Sequence, residues 1–126
     1  MMKKQPVCPD RVRRIPNQFS WVDHRLVSEH YIDRLSPAGA ALYLFLITVS
    51  DAQGMSYYGE ASIAKRLNMP RQQLVDARQE LTSSDLVAYK DPLYQVLPLD
   101  TPTMRSFSRQ SSGYPESLRE ILKHLA

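Results

Sequence analysis

The chain has 126 residues, 43% of them apolar, with a formal net charge of +3 and a single cysteine. That length and composition suit one domain with one modest core and leave little for a second. Cys8 alone excludes an internal disulfide and fits a reducing cytosol. The longest apolar run, residues 40–47 continuing to Val49, is about half of what a membrane span needs, so a soluble cytoplasmic protein with no membrane partner is expected.

Lys3, Lys4, Arg11, Arg13 and Arg14 stand against Asp10 alone in the first 14 residues, which places the basic excess of the chain in one arm. Charged residues rather than an apolar stretch follow the first methionine, so no secretory leader is expected. With its prolines, the segment 1–18 is predicted to be a disordered arm. Such an arm can lie along phosphates or enter a minor groove, or it can serve only as a solvated tail.

Phe19, Trp21 and Val22 then read as a leading strand or anchor that docks on the core. From Asp23, the spacing of Leu26, Val27, Tyr31, Ile32 and Leu35 predicts one helical face, and Ser36-Pro37 ends that helix and starts the next. The next helix, residues 36–50, has Ala38, Ala41, Leu42, Phe45, Leu46 and Val49 on one stripe. Because Tyr43, Leu44 and Ile47 are apolar too, burial on all sides is expected. Asp51, Gln53 and Gly54 form a turn, and residues 55–58 a short strand.

A helix follows, with Ala61, Ile63, Ala64 and Leu67 inward and Lys65 and Arg66 outward. Asn68 and Met69 break it. Pro70 suits the first position of a new helix, where its missing N–H costs nothing. Over residues 70–82 of this second helix, Leu74, Ala77 and Leu81 line the inner face, leaving Arg71, Gln72, Gln73, Val75, Asp76, Arg78 and Gln79 on or beside the outer one. Strand-like patterning resumes over residues 86–90, turns at Asp91-Pro92 and returns over 93–97, a hairpin. Helix, tight turn, helix and hairpin make the plan of a winged helix-turn-helix. The expected fold is mainly α with a small β-hairpin, a domain over residues 19–98 carrying extra helices at both ends.

Residues 99–114, rich in proline, serine and threonine, read as a linker. In the segment 115–126, Leu118, Ile121, Leu122 and Leu125 recur at helical spacing, predicting a short amphipathic helix that either folds back or crosses to a second copy as a homodimer contact.

Residues 63–87, IAKRLNMPRQQLVDARQELTSSDLV, resemble the winged helix-turn-helix of GntR-type bacterial transcription regulators. Residues 19–58, with LSPAGAALYLFL and SYYG, also look like winged helices of plasmid replication initiators and mobile-element proteins. The resemblance departs at Val75 and Asp76, where basic residues are common, at Asp85, where glycine is usual, and in the short wing, whose one cation is Lys90. It implies sequence-specific binding of double-stranded DNA by a transcription regulator or a replication or mobile-element accessory factor, near the nucleoid. Arg71 would reach guanine or a phosphate, Gln72 and Gln73 would reach base edges, and Arg78, Lys65, Arg66 and Lys90 would contact phosphates.

The competing readings are a protein-binding adaptor inside a nucleoprotein complex and, more weakly, single-strand binding through Tyr57 and Tyr58. The spacing of His24, His30 and His124 gives no metal constellation, and four glycines supply no phosphate loop or nucleophile elbow. Neither an enzyme nor a cofactor is expected.

Overall fold

In the computed structural model, which describes residues 4–99, four α-helices and a three-stranded antiparallel sheet form a small α+β domain. The helices are α1 (Arg25–Ser28), α2 (Pro37–Val49), α3 (Glu60–Leu67) and α4 (Arg71–Ser83). The strands are β1 (Met55–Tyr57), β2 (Val87–Lys90) and β3 (Leu93–Val96), with short 3-10 turns at Pro9–Arg11 and Ile32–Arg34. No helix among the described residues is long and apolar enough to cross a membrane.

The predicted long helix after Asp23 is a single turn. Asp23 accepts a hydrogen bond from the Arg25 amide at 2.9 Å and starts α1, and His30, at φ 64°, turns the chain into the left-handed region and ends the run. Leu26 and Tyr31 still reach the core, but the reversal leaves Val27 in solvent. Phe19 and Trp21 do not dock: they lie in irregular chain and Trp21 is 74% exposed. Among the described residues, a hydrogen bond from the Ser20 hydroxyl to the Thr48 carbonyl at 3.4 Å ties this strap to the domain.

Ser36 caps α2 by accepting from the Gly39 amide at 3.0 Å. Its own amide and hydroxyl donate to Glu80 Oε1 at 2.7 and 3.1 Å. This is a capping box whose carboxylate comes from α4 rather than from the third residue of α2. The third residue is Gly39, and a Cβ there would run into the Glu80 carboxylate. The buried stripe of α2 is Gly39, Leu42, Tyr43, Leu46 and Ile47, about one position round from the predicted one. Burial on all sides does not hold, because Leu44 faces solvent. The buried stripe of α2 packs along α4, while Phe45 meets Tyr58 edge-on at 5.1 Å.

After α2 the chain turns at Gly54, whose φ of 85° and the 2.6 Å approach that a Cβ would make to the Val96 carbonyl both require glycine. β1 then pairs with β3, Ser56 opposite Tyr94, so the sheet runs β1-β3-β2 and the predicted hairpin is its other two strands. Alternation leaves Tyr57 exposed.

Between the strands, α3 buries Ile63 and ends at Asn68, which takes a left-handed φ of 55°. Pro70 then sits at the N-cap of α4, one residue before the predicted position, with extended ψ. Leu74, Ala77 and Leu81 are buried along α4 as the spacing predicts. Asp85 takes a left-handed φ of 59° after α4. Leu99, placed by sequence in the linker, is buried in the core.

Candidate nucleic-acid interface

The turn between α3 and α4, with Leu67 and Met69 packed on the core, leads into a first turn of α4 that faces solvent. Leu74 is the first residue of α4 to be buried, so Arg71, Gln72 and Gln73 stand exposed ahead of it. The Arg71 side chain is 77% exposed, and its Nε donates to Glu60 Oε2 at 2.9 Å. Gln72 Nε2 donates to Asp76 Oδ1 at 3.0 Å, the i, i+4 spacing of one helix face, which occupies part of its amide and turns the acid along the helix. Lys65 and Arg66, in the last turn of α3, and Lys90, at the hairpin end, are exposed.

Arg78 goes elsewhere. Its side chain is only 15% exposed, Nη1 donates to the Tyr94 hydroxyl at 3.2 Å, and the guanidinium lies 4.3 Å from the centre of the Tyr89 ring. Nη2 is 3.5 Å from Glu60 Oε1. Burial opposes its charge, but the Tyr94 bond and the neighbouring Tyr94, Tyr89 and Glu60 outweigh that, so it is held protonated more firmly than usual. A residue read from spacing as a phosphate contact is therefore a brace between α4 and the hairpin.

Glu60, which no periodicity in the sequence marks, joins these parts. It opens α3, where the helix dipole favours an acid. Its carboxylate, with the side chain 25% exposed, lies between Arg71 and Arg78. The hydrogen bond from Arg71, and after it the charges of both arginines, hold its carboxyl below the usual glutamate range. The signal that could have found it is its charge at the start of a helix one turn-motif upstream of Arg71. No fixed periodicity spans the eleven-position separation between them.

The remaining candidates lie apart from this constellation. Lys4, Arg11, Arg13 and Arg14 are exposed on the arm, which takes a 3-10 turn at Pro9–Arg11, while Lys3 lies outside the described residues. So do His124 and the dimer candidates Leu118, Ile121, Leu122 and Leu125. Of the two candidate stacking rings, Tyr57 is exposed and Tyr58 packs against Phe45. His30 Nδ1 lies 2.9 Å from Asp33 Oδ2. Among the described residues no three His, Cys, Asp or Glu side chains gather as a metal site. An open groove of about 670 Å³ runs between the Phe19–Trp21 strap, the end of α2 and the segment after β3, with no residue of α3 or α4 in its lining.

Comparison of the chain with family models, with curated proteins and with solved structures finds no match.

Proposed function

We propose that this chain is a winged helix-turn-helix protein that binds double-stranded DNA sequence-specifically through the first turn of α4. The observation that carries the reading is the exposed row Arg71, Gln72 and Gln73 at the start of a helix whose later residues Leu74, Ala77 and Leu81 are buried in the core. The order α2-β1-α3-α4-β2-β3 and the sheet order β1-β3-β2 support it, since they set a helix-turn-helix beside a hairpin that would be the wing. A helix about 10–12 Å across fits a major groove about 12 Å wide.

In this reading Arg71 faces a guanine edge or a phosphate, and Gln73 supplies the bidentate amide that suits adenine. Gln72 reads less freely because Asp76 shares its amide. Lys65, Arg66 and Lys90 neutralise phosphates and set register, with the basic arm adding charge. Arg78 keeps its internal role. The biological setting would be transcription regulation, or replication or mobile-element accessory work, in a bacterial cytoplasm, with a homodimer reading paired half-sites.

The test is binding to duplex DNA across a salt series. Wild-type affinity should fall steeply with salt, and Arg71→Ala with Gln72→Ala should weaken it by at least about tenfold. Equal affinity in the double variant would remove α4 from the interface. A second reading, a protein-binding adaptor, is favoured by the exposed Phe19 and Trp21 beside the groove. Absence of nucleic-acid binding at any salt would select it.

A further inference from the structure

We propose that Glu60 is the positioning residue that makes Arg71 a reader of guanine rather than a general phosphate contact. This deepens the DNA-binding reading and rests on it. The argument begins with which nitrogen is held. Glu60 Oε2 takes the Nε–H of Arg71 at 2.9 Å, and neither Nη of Arg71 has a hydrogen-bond partner among the described residues. A guanidinium gripped at Nε presents its two amino groups as a fixed fork, the shape that matches the O6 and N7 acceptors of guanine.

The grip is anchored from below. Glu60 Oε1 lies 3.5 Å from Arg78 Nη2, and Arg78 is fixed by the Tyr94 hydroxyl at 3.2 Å and by the Tyr89 ring. Tyr94 is almost fully buried and pairs with β1 and β2 on either side. A contact chain therefore runs from the middle of the sheet through Arg78 and Glu60 to the Nε of Arg71. An ion pair this exposed contributes little to folding, so stability is a poor account of it. Ordering the Arg71 fork before DNA arrives removes an entropy cost from base contact. The carboxylate also resists capture of Arg71 by a phosphate, because a phosphate would have to approach a second anion. Both effects favour a base edge over the backbone.

The experiment is selection of binding sites from random duplex DNA, followed by affinity measurements on the selected duplex and on a version with the preferred guanine pair replaced. Wild type should prefer guanine at one position by at least about tenfold. Glu60→Ala should lose most of that preference while binding unselected duplex more tightly. Glu60→Gln, whose side-chain oxygen can still accept the Nε–H, should keep the preference in part and also bind unselected duplex more tightly. In an Arg71→Lys background, which keeps a charge but has no fork, Glu60→Ala should change the preference no further. The same guanine preference in wild type and Glu60→Ala would overturn the proposal and leave DNA binding standing, as would a full further loss in the Arg71→Lys background. Should Glu60→Ala not fold, a preference equal to wild type in Arg71→Lys would overturn the proposal by itself. No duplex binding by wild type would overturn both readings.

Discussion

The two halves of α4 are built for opposite ends. From Leu74 onward the helix is held on several sides: Leu74, Ala77 and Leu81 are buried, Arg78 is braced against Tyr89 and Tyr94, and Glu80 reaches across to cap α2. In its first turn Arg71, Gln72 and Gln73 stand in solvent, and the restraints on them are two carboxylates, Glu60 and Asp76. The glutamates on either side make the same point. Glu80 Oε1 takes both bonds of a half-buried cap, whereas the Glu60 carboxylate is shared between the largely buried Arg78 and the exposed Arg71. Burial makes a polar contact part of the fold, and exposure leaves it available for recognition.

Substitutions should separate these halves by size of effect. Leu81→Ala, at a fully buried position, should cost about 2–5 kcal/mol in chemical denaturation. A cost near zero would mean that the second half of α4 is not a foundation. Gly39→Ala should come next, at about 1–2 kcal/mol of net destabilisation, because the methyl displaces the Glu80 cap and this outweighs the gain of about 1 kcal/mol that alanine brings to a helix. In a Glu80→Ala background the same change should turn neutral or stabilising, and additivity of the two would refute the cap.

Arg71→Ala should leave stability within about 0.5 kcal/mol, the range of exposed ion pairs, while duplex affinity falls. A large loss of stability would place the first turn with the foundation after all. The smallest effect is that of acid. Since the folded-state carboxyl of Glu60 is held below its ordinary value, the stability that it contributes is present at neutral pH. It is lost as pH falls through that lowered value. The stability difference between wild type and Glu60→Gln should shrink over that window, and a difference constant with pH would show that the charge of Glu60 has no part in it.

How legible these halves were in the sequence follows from the range of the forces involved. Leu74, Ala77 and Leu81 were readable because a helix repeats its inward side chains at a fixed interval, and Ile63 and the break at Asn68 were readable on the same local grounds. The strand from Met55 and the hairpin were legible in their change of period. The internal contacts of Arg78 were not legible, because they are made with two tyrosines on strands that come later in the chain, and no helical wheel contains them. Val27 and the strap at Phe19 and Trp21 differ from their reading because apolar character predicts burial only where the chain supplies a surface to bury against, and for Val27 the turn at His30 moves that surface away. Glu60 was overlooked because a contact between two helices across a turn follows from their packing angle, which single-residue propensities do not carry.

The trans-helix cap on α2 has a consequence for how the domain opens. The amide of Ser36 is satisfied by a side chain 44 positions later, so the first turn of α2 cannot keep its native bonds when α4 departs. Hydrogen exchange at Ser36 and Gly39 should then share the opening free energy of the α4 amides around Leu81, so that the two helices report a single cooperative unit while the first turn of α4 exchanges on its own.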